Sequence, residues 1–240
     1  MSLDNKLPIQ IIMAKSGSSP NRLAKDIRDV LRNPLEDSGI YYKHHESDML
    51  TGYAMIIGPD KTPYRGGFYL FEIKYPTDYP YSPPHVIFST KDGSTRFHPN
   101  FYANGKVCLS ILNTWFGESW SSCDTIRTVL LQICIAFTPI PLLNEPGIHK
   151  SSIECSLYTE AIEYHNLDAA VCNIVSKTGH YLPFFDLFYD KIREVFSNLK
   201  ESHISFIKSK AGHRSRIHIP IYEMTSVIDY PALLLKIENI

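Results

Sequence analysis

Cys108 stands eight positions after Asn100 in the stretch RFHPNFYANGKVCLSILNTW, Arg96 to Trp115. Pro99 fixes one backbone angle and pushes His98 toward an extended conformation, so His98-Pro99-Asn100 reads as a stiff, sharply bent piece. The Asn100 side chain then presents a neutral amide on a firm backbone. Such an amide can stabilise an oxyanion but takes up no proton at neutral pH. A thiol with a neutral donor suits acyl transfer through a thioester. It does not suit rapid hydrolysis, which uses a base to prepare the nucleophile and later the water. This chemistry requires the Cys108 sulfur to lie open in a shallow cleft, with the Asn100 amide close to it. His98, before proline in a bend, is expected to be structural, its ring bonded to backbone groups.

The other four cysteines carry less. Most cysteines are small core hydrophobes. Cys134 and Cys172 fall in helical apolar stripes and fit that description, whereas Cys123 and Cys155 have no supporting context. Cys108 differs because it lies just past a glycine turn, Asn104-Gly105, inside about thirty residues without regular periodicity, Lys91 to Ser122. Irregular segments of that length in a compact domain are usually functional.

The elements that must hold this segment are legible on both sides of it. Ser18-Ser19-Pro20 reads as a serine cap with proline in the first turn. Leu23, Ile27, Val30 and Leu31 then form one apolar stripe, and Asn33-Pro34 ends the helix. GIYYKHH, TGYAMIIGP, GGFYLFEIKYP and PHVIFST read as four strands with short breaks and no helix between them, which predicts an antiparallel meander. A proline-dense corner, YPTDYPYSPP from Tyr75 to Pro84, precedes the last of them. Thr125 to Phe137 is a helix, with Ile126, Val129, Leu130, Ile133, Cys134 and Phe137 on its stripe. Beyond Ser156 the pattern is helical: one helix through Tyr158, Ile162, Val171, Ile174 and Val175, and another entered at Pro183 through Phe188, Ile192, Val195 and Leu199. SRIHIPIYEM reads as extended and DYPALLLKIENI as a short final helix. The expected class is α+β. Its parts are an N-terminal lead over 1–17, a catalytic core over 18–150 and a mostly helical C-terminal extension over 151–240.

The 240 residues are 44% apolar and 20% charged, enough for a substantial core, and the formal net charge of -1 gives no field toward nucleic acid or anionic membrane. An odd number of cysteines, five, without a C-x-x-C pair argues against a disulfide framework or a zinc site. The adjacent His44-His45 pair adds no metal site, since neighbouring strand residues face opposite ways. IQIIMA near the start is too short for a signal segment, and no apolar run approaches ~18 residues. The expected setting is intracellular and reducing, cytoplasmic or nuclear, without membrane or nucleic-acid partners. Lys208, Lys210, Arg214 and Arg216, with His203, His213 and His218, lie in a stretch from Ser202 to Tyr222 that contains no intervening acid, and read as a solvated or mobile tail ahead of a partner-binding strip.

YPTDYPYSPP, then HPN, then a cysteine eight residues on, then Trp120 before an amphipathic helix, resembles the ubiquitin-conjugating (E2) family; GPDKTPYRGGFYLFEIKYP is similar to its second-to-third strand region. The resemblance covers roughly Arg22 to Gly147, and the NEPG turn, YTEAIEYHNLDAAVCNIV and FFDLFYDKI look like the C-terminally extended E2 Z subtype. It implies the UBC fold, and a Cys108 that accepts ubiquitin or a ubiquitin-like modifier from an E1 as a thioester and passes it to a lysine of a protein substrate or to an E3 cysteine. It implies that Asn100 supports the oxyanion or the loop that does. It implies no cofactor in this chain, ATP being used by the E1. Arg22 and Lys25 match a first-helix face used for E1 docking, and Tyr81 matches a position that presents an aromatic to E3 ligases. Three departures stand out. Ser110 replaces an aspartate common two residues after the cysteine. Trp120-Ser121-Ser122-Cys123 replaces Trp-Ser-Pro-Ala in the ligase-binding loop, which puts partner choice at Ser122 in question. The NEPG turn replaces an acidic gate, which leaves Asn144 or Glu145 to desolvate the incoming lysine. Two rival readings are an E2-like scaffold without transfer activity, and a cysteine hydrolase, for which His149 or His165 would have to fold back to Cys108.

Overall fold

The computed structural model describes residues 18–210 and 212–240. The lead over 1–17 lies outside the described residues, as do the side chains of the expected Ser18-Ser19-Pro20 cap. Helix α1, Ser18–Arg32, buries Leu23, Ile27 and Val30, while Leu31 turns outward. Four strands follow: β1, Ile40–His44; β2, Thr51–Ile57; β3, Phe68–Lys74; and β4, His85–Phe88. They form one antiparallel sheet in the order β1-β2-β3-β4, with Ile40 opposite Ile56, Met55 opposite Leu70 and Phe71 opposite Phe88.

This sheet is apolar on both faces. Residues of alternate parity in β2 and β3 point to opposite sides, yet Ala54, Met55 and Ile56 and the run Phe68 to Phe71 are all buried. One face carries Tyr69, Phe71 and Phe88, which pack edge-on or tilted against Phe97, Phe101 and Phe137. Phe137 ends helix α2, Ile126–Ala136, which is capped by Thr125 accepting from the Thr128 backbone N–H. Cys134, expected on the apolar stripe of α2, is only half-buried, because that edge of the helix faces the Ser38 carbonyl.

The C-terminal segment covers the other face. Helix α3, Ile153–His165, runs on into a π-helical stretch, Asn166–Asn173. A 3-10 turn, Pro183–Phe188, leads into helix α4, Tyr189–Ser209. Phe184 stacks on Tyr53 of β2 at 4.5 Å, and Lys191 lies over Tyr41 of β1. The segment is not helical throughout: β5, Arg214–Ile219, pairs with β6, Met224–Asp229, as a hairpin before helix α5, Tyr230–Glu238. Nor is Ser202 to Tyr222 a tail. His203 is buried in α4, and acids from other elements meet the cations: Lys208 pairs with Glu238, Lys210 with Glu163 and Arg214 with Asp229, while the His213 ring is hydrogen-bonded to Glu160. His44 closes β1, its Nδ1 bonded to the Tyr42 hydroxyl.

Asn166 ties the C-terminal segment to the sheet. Its Oδ1 accepts from the fully buried Tyr69 hydroxyl at 2.6 Å, and its Nδ2 donates to the Arg65 carbonyl at 3.1 Å. Asn166→Ala would leave the Tyr69 hydroxyl buried without an acceptor. We expect a loss of about 2–3 kcal/mol in urea unfolding, with Tyr69→Phe in the same background recovering part of it; an unchanged midpoint would show that water replaces the amide at no cost.

Candidate active site

The segment between β4 and α2 is built as a small, tightly cross-bonded loop. Isolated bridges join His98 to Phe101 and Phe101 to Val107, and Gly105 turns the chain at φ +97°. Glycine is required there, since a Cβ would come within 2.8 Å of the Phe88 carbonyl oxygen as well as adopting an unfavourable backbone conformation. The turn sets residues 100 and 108 opposite one another. The Cys108 N–H donates to the Asn100 carbonyl at 2.8 Å, and Asn100 Nδ2 donates back to the Cys108 carbonyl at 2.7 Å.

His98 supports this loop with both ring nitrogens. Nδ1 accepts from the Asn100 backbone N–H at 3.0 Å, so the ring proton sits on Nε2 and is donated to the Ala136 carbonyl at 2.9 Å. The ring is fully buried, and that burial holds its pKa down at about 3. Pro99 is buried behind it. Asn144 ends the 3-10 turn Pro141–Asn144, and its Nδ2 donates to Asn100 Oδ1 at 3.2 Å. Because Asn144 takes up the Asn100 oxygen, the Asn100 nitrogen is the atom directed to Cys108.

Cys108 itself departs from expectation. The residue is 1% exposed, not open in a cleft, although it lies outside the contiguous apolar core. The loop folds closely around it. Thr114 Oγ1 accepts from the Leu109 N–H at 3.0 Å and lies 3.0 Å from the Val107 carbonyl, bracketing the cysteine on both sides. Asn113 adopts a left-handed conformation and accepts from the Trp120 N–H, while the Trp120 indole donates to the Pro80 carbonyl at 2.7 Å. Among the described residues, no side chain bonds to the Cys108 sulfur. His165 is engaged elsewhere, 3.2 Å from the Asp92 carboxylate and 3.1 Å from Ser226 Oγ, and His149 is exposed with no bond to the thiol.

The remaining candidates are dispersed. Glu145 is not a free gate: Arg96 pairs with its Oε1 at 3.2 Å, and the Tyr222 hydroxyl donates to the same oxygen at 2.7 Å. Arg22 is not a free docking cation either. It pairs with Asp26 and donates to the Ser122 and Asp124 carbonyls, joining α1 to the loop ahead of α2. Lys25 and Ser122 are exposed, and Tyr81 is 69% exposed. Sequence reasoning missed Arg96, Thr114 and Tyr222. Arg96 and Thr114 lay inside the quoted stretch, but only long-range contacts give them a role, and nothing local marked Tyr222.

The model of the ubiquitin-conjugating enzyme family matches residues 22–166, and the chain belongs to that family. The sheet, the loop and the extra C-terminal helices are thus a UBC fold with a C-terminal addition. Ubiquitin-conjugating enzyme E2 Z of Xenopus tropicalis is 34% identical over 229 residues, 91% of this chain and 70% of its own length. Human E2 Z is 40% identical over 157 residues, 64% of this chain and 44% of its own, so the match spans less than half of the human protein. Probable ubiquitin-conjugating enzyme protein 17 of Caenorhabditis elegans is 40% identical over 136 residues, 54% of this chain and 19% of its own.

Two outcomes follow from this geometry. Maleimide should label the exposed Cys123 at least tenfold faster than Cys108 in the native protein, with the difference lost in urea; peptide mass spectrometry reads both, and equal native rates would put the Cys108 sulfur at the surface. Stability should also fall with acid. Burial keeps His98 at about 3 and His203 at about 4, both below the ordinary 6.5, so the unfolded chain binds their protons first. Their contribution is complete above pH 6.5 and is lost as pH falls toward 4, by roughly 1 kcal/mol per pH unit for each ring. Urea midpoints at pH 7, 6 and 5 test this, and His203→Gln should make the decline shallower.

Proposed function

We propose that this chain carries ubiquitin, or a ubiquitin-like modifier, as a thioester on Cys108 and transfers it to a lysine or to an E3 cysteine. In charging, the Cys108 thiolate attacks the modifier's C-terminal carbonyl on the E1 thioester, a new S–C bond forms, and the E1 thiolate leaves. In transfer, a lysine amine attacks the same carbonyl carbon. The tetrahedral oxyanion collapses, the C–S bond breaks, Cys108 leaves as thiolate, and the nitrogen loses its proton to water. The partners belonging to this cycle are the modifier, an E1, an E3 and protein substrates; the chain itself needs no cofactor.

The observation that carries this reading is the reciprocal bonding of residues 100 and 108 around an unpartnered sulfur. Asn100 holds the cysteine loop and keeps a neutral N–H beside the reacting carbon's position. His98 is spent on the backbone, so no ring nitrogen competes to activate water. Asn144 sets the Asn100 amide rather than gating the lysine directly. Arg22 supports the loop above α2, leaving Lys25 and Tyr81 as the exposed candidates for E1 and E3 contact.

One observation favours a second reading, a family member that keeps the fold without transfer: Cys108 is nearly sealed. Charging requires the sulfur to be uncovered. Asn113, Thr114 and Phe116 to Ser119, next along the chain, are exposed, with Phe116 at 91%. They are the non-core part of the loop that follows the thiol.

Incubation with E1, ATP and the modifier should give a thiol-sensitive adduct on a non-reducing gel, absent in Cys108→Ala; no adduct with any E1 supports the scaffold. Release of free product from a small thioester would instead indicate a hydrolase. Asn100→Ala should still charge but discharge to free lysine about 100- to 1000-fold more slowly, the range for losing one oxyanion donor. Equal loss of both steps would assign Asn100 to loop support alone.

A further inference from the structure

Arg96 opens the active-site segment and is gripped by the far end of the chain. Its guanidinium lies between the rings of Tyr102, 3.8 Å away, and Tyr222, 4.2 Å away, the latter in the turn between β5 and β6. The Tyr222 hydroxyl and the guanidinium meet on one oxygen of Glu145. Burial raises the Tyr222 hydroxyl above its ordinary range, so it remains a donor. The backbone of residue 96 is held as well: its carbonyl accepts from Tyr158 at 2.6 Å, and its N–H points at the Met224 sulfur at 3.4 Å.

From this anchor the guanidinium reaches forward to the Pro99 carbonyl. That carbonyl belongs to the same peptide unit as the Asn100 N–H, which donates to His98 Nδ1 at 3.0 Å. The Pro99–Asn100 peptide plane is therefore clamped at both ends, at oxygen by Arg96 and at nitrogen by His98. A peptide unit is planar and turns as one body. Fixing both ends sets the direction in which the Asn100 side chain leaves the backbone, and hence its reach to Cys108.

We propose that Tyr222 and Glu145, acting through Arg96, position the Pro99–Asn100 peptide for transfer, so that the C-terminal hairpin is a working part of the active site. This rests on the thioester-transfer reading above. Tyr222, Glu145 and Arg96 are positioning residues: each acts through the next, and Asn100 alone meets the reacting groups. The stacking is suited to this role, because a guanidinium held between two rings keeps its plane fixed while its edge remains free to bond.

Two variants separate positioning from bulk stability. Tyr222→Phe removes the hydroxyl and keeps the ring over Arg96; Arg96→Lys keeps the charge and loses the fork. Arg214→Ala, which breaks the Arg214–Asp229 pair at the other end of the hairpin, is the control. In single-turnover discharge of preformed thioester to free lysine, we expect Tyr222→Phe to be 3- to 10-fold slow, Arg96→Lys slower still, and Arg214→Ala at the wild-type rate. In an Asn100→Ala background Tyr222→Phe should add nothing. Amide exchange in the uncharged proteins should rise at residues 100 and 108 in the first two variants only. A wild-type discharge rate in Tyr222→Phe, an additive effect with Asn100→Ala, or unchanged exchange at residues 100 and 108 would overturn the proposal. The exchange arm needs no modifier, so a wild type that never charges sinks the transferase reading while the mechanical link from Tyr222 to Asn100 is still read directly.

Discussion

Two short hydrogen bonds between residues 100 and 108 decide where the thiol stands, and the rest of the loop exists to keep them. Each member of the pair gives one donor and one acceptor, so neither can shift without stranding a buried polar group. His98 and Asn144 then fix Asn100 from its backbone N–H and its side-chain oxygen, and Thr114 brackets Cys108 through the carbonyl before it and the N–H after it. The side chain bonded directly to Cys108 is the neutral Asn100, and the charged Arg96 acts one step back, on the Pro99 carbonyl.

The sheet beneath imposes the second constraint. β2 and β3 are apolar at both parities, so each face must be covered. On one side the cover is α2 and the aromatic cluster of Phe97, Phe101 and Phe137, on which the active-site loop sits directly: Phe101 belongs to that cluster and also bridges His98 and Val107. On the other side the cover is the C-terminal segment, through Phe184 on Tyr53 and Lys191 over Tyr41, while Asn166 ties the same segment to the Tyr69 hydroxyl. The segment that supplies Tyr222 to Arg96 is thus held in place by the burial that the sheet demands. Packing and positioning are two consequences of the same docking.

What could be read from the chain was local. HPN, the glycine turn and the eight-residue spacing located Asn100 and Cys108, because a proline, a positive-φ glycine and a bend are properties of neighbouring residues. The strands and α2 followed from periodicity for the same reason. The expected open sulfur did not, since the exposure of Cys108 depends on how the long loop around it folds, which no local pattern sets. Lys208, Lys210 and Arg214 looked unpaired because their acids, Glu238, Glu163 and Asp229, arrive from other elements. The first strand of the β5–β6 hairpin was legible as an extended stretch, but β6 escaped because its buried side, Met224, Ser226 and Ile228, is broken by a polar residue, Ser226, which faces His165. In β2 and β3 a signal was present and unused. Apolar residues at both parities already imply a second covering layer, which is what the C-terminal segment provides.

The fate of the histidines bears on why such a site would hold an acyl group rather than hydrolyse it. A thioester survives in water when nothing nearby prepares a water molecule for attack. His98 is adjacent to the site in the fold, but one nitrogen is committed to Asn100 and the other to Ala136, and burial keeps it neutral down to about 3. His165 is held between Asp92 and Ser226. Burial alone would raise the Asp92 carboxyl, but bonds from His165, Thr95 and Ser94 hold it well below its ordinary range. An amine that brings its own lone pair needs only a stabilised oxyanion, whereas water needs a base as well. On the transfer reading proposed above, an Asn100 without a free imidazole beside it would discriminate between the two on that difference.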